Sequence, residues 1–212
     1  MYWGVHAKRE LSDHARSPSL KLLLEYDDHI ATQFLLKEGY QECHHLGTDP
    51  SFSGLHCSSF FGIPEIVTAL IETEYTDING EDFWGFTPLA WASQKGHEEV
   101  VRILLGREGV NPNKPDSSLR TPLLLAAQKQ HEEVVRILLR HQGVNPNKPE
   151  YSYRTPLSHA AQSGYEGMVK ILLGREDVDP DMPSNSGRTP LSYAAGERYK
   201  GVVKMLLARE GG

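Results

Sequence analysis

Cysteine is scarce in this chain of 212 residues: Cys43 and Cys57 are the only two. That is too few for a disulfide framework and suits a reducing compartment. No apolar run approaches the ~18 residues that a membrane span needs. Met1-Tyr2-Trp3-Gly4 opens the chain without the apolar stretch of a signal peptide. Basic residues are not in excess, since 22 Lys and Arg against 28 Asp and Glu leave a formal charge of −6. Neither nucleic acid nor an anionic membrane is therefore the expected partner. Glycine-rich phosphate loops and nucleophile elbows are both lacking. His97-Glu98-Glu99-Val100-Val101 begins like a zinc-protease helix, but valine stands where the second ligand belongs, and the same residues recur at 131–135. A catalytic centre would not be duplicated in that way. Cys43-His44-His45 with His56-Cys57 groups thiols with imidazoles, yet the spacing fits no compact zinc site. The chain reads as cytoplasmic and non-enzymatic, with no cofactor, metal or small-molecule substrate.

What the chain does have is repetition. Thr87-Pro88-Leu89 returns as Thr121-Pro122-Leu123, Thr155-Pro156-Leu157 and Thr189-Pro190-Leu191, always 34 residues on. Segments 87–120 and 121–154 agree at 24 of 34 positions. One period earlier lies Ser53-Gly54-Leu55, a degenerate copy. A fixed period of this size means stacked units sharing one continuous core. We expect units near 53–86, 87–120, 121–154, 155–188 and 189–212, preceded over 1–52 by a helical segment and a divergent capping repeat.

Each unit carries the same local signals. Thr87 and its copies sit at a helix N-cap, with proline following at the first helical position. Leu89 and its copies point inward, followed by small residues such as Ala126-Ala127 that let neighbouring helices approach. Gly96 and Gly164 can end the first helix in a left-handed turn; Gln130 and Arg198 occupy the same place. His97-Glu98-Glu99 opens a second helix with carboxylates near its positive end, and Val100, Val101, Ile103, Leu104 and Leu105 give its apolar face. Asn111-Pro112-Asn113-Lys114-Pro115 cannot continue that helix and leads towards the next unit. The last unit ends without a polar cap, so Met205, Leu206 and Leu207 are expected to be partly uncovered.

Thr-Pro-Leu with two alanines, Gly-His before a Val-Val…Leu-Leu helix, and a Val-Asn loop together resemble the ankyrin repeat. The resemblance implies an all-α solenoid of helix-turn-helix units with short loops or β-turn fingers between them, and a protein partner. Two departures stand out. The period is 34 rather than 33, and the glycine before Thr-Pro-Leu, kept at Gly85 and Gly187, is Leu119 and Tyr153 in between. A narrower resemblance is to the arrays of fungal NACHT-type, NLR-like receptors, through Gly-Arg-Glu-Gly-Val-Asn-Pro-Asn-Lys-Pro-Asp (106–116) and Gly-Arg-Thr-Pro-Leu-Ser-Tyr-Ala-Ala (187–195). Tyr2-Trp3-Gly4-Val5-His6-Ala7 looks like the end of the helical region preceding such arrays. That would make the chain a recognition domain from a larger receptor. A free-standing scaffold and a regulatory appendage of an enzyme remain alternatives.

Differences between units mark the candidate recognition face, because core positions repeat while a concave binding surface is free to vary. At the loop tips these are Phe83, Trp84 and Phe86, for which packing that closes off the poorly matched first unit is the alternative, then Ser117 and Arg120, then Tyr151, Tyr153 and Arg154, then Arg188. On the first helices they are Gln94, Lys95, Gln128, Lys129 and Gln162. Aromatic residues and arginine are the types that dominate interface energetics. Trp91, aligned with Leu125 and Tyr193, is assigned to the core instead.

Overall fold

A computed structural model describes residues 51–72 and 76–210. The divergent cap expected within 1–52, and Cys43, His44 and His45, lie outside the described residues. Gly54–Gly212 forms one compact unit. Among its described residues are five helix pairs and no strand. The pairs are α1 (Gly54–Phe61) with α2 (Pro64–Ile71), α3 (Pro88–Lys95) with α4 (Glu98–Leu105), α5 (Pro122–Gln128) with α6 (Glu132–Arg140), α7 (Pro156–Gln162) with α8 (Glu166–Leu173), and α9 (Pro190–Gly196) with α10 (Lys200–Glu210).

None of these helices exceeds 11 residues, below the ~12–15 at which an isolated helix becomes even marginal in water. They persist because each packs on its own partner and on the equivalent helix of the next unit, so that first helices form one layer and second helices another. Leu89, Leu123 and Leu157 are buried in the first layer, and Val101, Val135 and Val169 in the second. Each such side chain contributes about 1.5–3 kcal/mol by leaving water. Ala92, Ala126 and Ala160 are fully buried between first helices, where a larger side chain would push the layers apart.

The start signals act as the sequence implies. Thr87 Oγ1 accepts from Ala90 N at 3.1 Å, Thr121 from Leu124 N at 3.2 Å, Thr155 from Ser158 N at 3.2 Å and Thr189 from Ser192 N at 3.3 Å. The second helices start differently: His97 makes no side-chain cap. Its Nε2 instead reaches back to the Phe60 carbonyl at 2.9 Å, and His131 Nε2 to that of Gln94 at 3.0 Å. These histidines bolt one unit to the previous one. Gly96 has φ 81°, and a Cβ there would meet His131 Nδ1 at 2.6 Å. Gln130 and Arg198 take the same left-handed turn with φ 62° each, so the turn persists without glycine, at the cost of strain.

Loops between units are cross-linked by an asparagine ladder. Asn79 Nδ2 donates to Gly109 O at 2.7 Å while its Oδ1 accepts from Asn111 N at 2.7 Å. Asn113 repeats this with Gly143 O and Asn145 N, and Asn147 with Asp177 O and Asp179 N. Asn113 and Asn147 of the Asn-Pro-Asn-Lys-Pro loops are thus structural.

One expectation about the last unit needs correction. Leu206 is buried on α10, the helix that packs on α8 and α9, whereas Leu207 is 49 % exposed and Met205 half-buried. Ser192 and Ala195 are also exposed, although their counterparts Ser158 and Ala161 are buried.

Candidate functional site

Between units the chain makes a tight finger. In the first complete one, Gly85 N donates to Asp82 O at 2.8 Å and Asp82 N to Phe86 O at 3.0 Å. The same pair of bonds recurs at Leu119/Asp116 with Arg120, at Tyr153/Glu150 with Arg154 and at Gly187/Ser184 with Arg188. The fourth residue of each turn is left-handed, with φ of 76° at Gly85, 62° at Leu119, 58° at Tyr153 and 71° at Gly187. This is the turn-plus-bulge hairpin loop, whose last residue favours glycine. Leu119 and Tyr153 adopt it without glycine and are held at the tip, 47 % and 56 % exposed.

Successive fingers are joined by single backbone bonds. Ser117 N donates to Trp84 O, Tyr151 N to Ser118 O and Asn185 N to Ser152 O, at 2.9, 3.3 and 3.0 Å. The tips therefore form a row of fixed spacing. Each base carries an inward-facing polar residue. Asp82 Oδ1 accepts from Trp84 N and Phe86 N, and its Oδ2 accepts from Trp91 Nε1 at 2.8 Å. Burial raises the Asp82 carboxyl above its ordinary value despite those donors. Asp116 holds Ser118 N and Arg120 N on one oxygen and the Arg120 guanidinium on the other, at 2.7 Å. Glu150 binds Arg154 Nε at 2.8 Å and His159 Nε2 at 3.1 Å. Ser184 takes the corresponding place and accepts from the Tyr193 hydroxyl. Desolvation, seconded by the Arg154 charge, lowers His159 below the usual histidine value.

A model of the ankyrin-repeat family, itself three repeat copies long, matches residues 20–116, 54–150, 108–184 and 142–212. The chain is an ankyrin-repeat protein. No curated protein sequence matches it closely enough to count as a relative. Ankyrin repeats serve as protein–protein interaction modules, and this array is one. No helix among the described residues is long and apolar enough to cross a membrane.

Within the ankyrin array, the residues proposed as the recognition face divide into three groups. Phe83, Ser117, Tyr151, Tyr153 and Arg188 are exposed at the fingers, with Phe83 and Tyr151 at 71 % and 76 %. Lys95 and Lys129 are exposed at the ends of the first helices, with Gln94, Gln128 and Gln162 half-buried beside them. Arg120, Arg154 and Trp84 are half-buried; Arg154 Nη1 also donates to Gln162 Oε1 at 3.0 Å, joining finger to helix. Phe86 is a correction. It is buried at 5 % and stacks on Trp91 with centroids 4.4 Å apart, so it fills the gap between finger and helix and is not available to a partner. The aromatic trio splits: Phe83 outward, Phe86 inward, Trp84 between.

Leu119 joins the exposed tips, a place that comparison of aromatic and charged residues between units does not give it; a leucine in a glycine slot is its signal in the sequence. The thiol of Cys57 is buried and pushed up to about 12, and His56 Nε2 lies against the Gly80 and Phe86 carbonyls at 3.0 and 3.1 Å. Both have packing roles. Among the described residues no group of three or more His, Cys, Asp or Glu could hold a metal.

Proposed function

We propose that the array recognises its protein partner through the face made by the finger tips and the ends of the first helices. The observation that carries this reading is where the repeats disagree. Most buried positions restate one another, with exceptions such as Trp91, Leu125 and Tyr193, whereas the exposed tips change from Phe83 to Ser117, Tyr151 and Asn185. A surface under only solubility constraints would not favour large exposed aromatics on a rigid row. Replacing Phe83, Tyr151 and Tyr153 together with alanine should abolish partner capture from a lysate while helicity by circular dichroism stays intact. Undiminished capture would remove the face from consideration.

The finer proposal is that this domain is the ligand-sensing array of a fungal NLR-like receptor. It is supported by the near-identity of its units and by the stretches 106–116 and 187–195. In such a receptor the bound ligand must favour one state of an attached nucleotide-binding module, since equal affinity for both would shift nothing. Sequencing the gene upstream of Met1 tests this. A nucleotide-binding module there supports the proposal, whereas an unrelated enzyme there favours the regulatory-appendage reading.

A further inference from the structure

The outer stripe of the second helices follows one plan that breaks between α6 and α8. Arg102 on α4 reaches Glu133 on α6 at 3.4 Å, an ion pair that ties one unit to the next. One period on, Arg136 is the copy of Arg102, but Gly167 stands where Glu133 did. Arg136 lies instead 3.9 Å from Glu132 and 3.8 Å from Glu133 of its own helix. Glu133 also serves Arg140, at 4.0 Å, so three arginines share one carboxylate. Lys170 on α8 forms no ion pair among the described residues. The result is an open groove of about 580 Å³ between α6 and α8, with Arg136, Arg140, Lys170 and Arg175 on its walls and Leu139 and Ile171 between them. Arg136, Arg140 and Lys170 are exposed, whereas Arg175 is committed to Leu139 O, Val144 O and the Asp177 carboxylate. Helix C-termini carry negative partial charge, but here Arg175 covers Leu139 O and Arg209 covers Leu173 O. Carboxylates stand around the groove without lining it. Glu132, Glu133 and Asp177 are paired as described, Glu166 lies in the first turn of α8, at its other end, and Glu176 is exposed in the turn beyond that helix.

We propose that this groove binds a small free anion carrying two or more phosphate groups. Arg136 and Arg140 stand one turn apart on α6 and offer guanidinium forks that grip phosphate oxygens in pairs, while Lys170 adds a point charge from the facing helix. The exposed pairs that Arg136 and Arg140 now make, at 3.8 to 4.0 Å, are worth about 0–1 kcal/mol each, so a multiply charged ligand displaces them at small cost. A single phosphate would leave most of the groove empty, whereas linked phosphates reach cations on both helices. The ligand supplies the negative charge that Gly167 lacks, and so ties α6 to α8 as Glu133 ties α4 to α6. This site lies on the second-helix layer and is independent of the recognition face proposed above.

Isothermal titration calorimetry of inorganic tripolyphosphate into the full chain should show one site. Orthophosphate should bind roughly tenfold more weakly at the same ionic strength, and both should weaken as salt is raised. The double variant R140Q/K170Q should lose roughly tenfold or more of the tripolyphosphate affinity, and Lys170→Gln alone part of it. Lys204→Gln, which changes the copy of Lys170 on α10 outside the groove, should bind as the wild type does. All three side chains are exposed, so helicity by circular dichroism should be unchanged in every variant. Failure of tripolyphosphate to bind, or full binding by R140Q/K170Q, would overturn the inference. An equal loss in Lys204→Gln would overturn it too, by showing general attraction to the cations of this layer. Vesicles of phosphatidylcholine doped with phosphatidylinositol phosphates separate the two sources of phosphate. Co-sedimentation with them in the absence of tripolyphosphate binding would assign the groove to a lipid headgroup, against the free ligand proposed.

Discussion

Replacing Gln130 with glycine should make the array more stable. Gln130 closes α5 with φ 62°, a conformation that costs a residue with a Cβ about 1–2 kcal/mol. Its side chain is exposed, so little packing is lost on truncation. Glycine removes the strain but adds disorder to the unfolded chain, a loss of roughly 0.5–1 kcal/mol. The net expectation is a gain of about 0.5–1 kcal/mol. With a urea m-value of roughly 1–3 kcal/mol/M, the midpoint should rise by some tenths of a molar at unchanged slope. The equivalent change in the opposite sense sharpens the test. At Gly96 the φ of 81° again penalises a Cβ, and that atom would lie 2.6 Å from His131 Nδ1. Since His131 binds the Gln94 carbonyl, Gly96→Ala must displace an inter-unit bond as well as strain the turn. It should cost on the order of 2–3 kcal/mol, by adding a lost hydrogen bond to the conformational penalty. Urea unfolding followed by circular dichroism measures both. If Gln130→Gly leaves the midpoint unmoved or lowers it, the left-handed turn is not a source of strain here and the reasoning fails.

Two further outcomes follow from the contacts. Asn113→Ala removes both its bond to Gly143 O and the acceptor for Asn145 N; it should cost about 1–2 kcal/mol and speed hydrogen exchange at the Asn145 amide, with protection retained in α5 and α7. His159 is held below the ordinary histidine value in the folded chain, so the unfolded chain takes up its proton first as pH falls. Its contribution to stability is complete above the unfolded value of about 6.5, declines as pH drops from there through the lowered folded value, and is flat below both. Urea midpoints across that range should therefore fall more steeply for the wild type than for His159→Gln; parallel curves would show that His159 titrates normally.

Most of the architecture was legible because each unit repeats a local instruction whose physics does not depend on distant residues. Thr-Pro announces a cap and a first turn wherever it occurs, and the Val-Val-x-Ile-Leu-Leu run has one amphipathic solution. Comparing units also showed which positions are copied for the core and which vary. Failures arose where a residue's environment is set by the neighbouring unit. Phe86 sits beside the exposed Phe83 in sequence and is as aromatic, but Trp91 on α3 offers it a ring to stack on and Asp82 fixes its amide. His97 does stand at the start of α4 as the sequence implies, but the hydrogen bond from its ring to Phe60, 37 residues away, has no signal in the sequence. Leu206 and Leu207 are adjacent and chemically alike, and only the stack decides which of them is covered.

The same distinction explains why Leu119 and Tyr153 carry more meaning in the structure than in the sequence. In the sequence they are missing glycines, which puts the loop in question. The finger bonds stay intact around them, so the fold tolerates the strain and the side chain is delivered to the tip. Strained residues persist where surrounding contacts over-determine them, and they gather at sites of function. The neighbouring fingers, with Gly85 and Gly187 in that slot, present no side chain there. A turn needing glycine for comfort is occupied by leucine and tyrosine in the middle of the proposed recognition face, which ties local strain to what that face displays. Leu119→Gly and Tyr153→Gly would keep the finger while removing what it displays, and so separate the stability of the array from what it recognises.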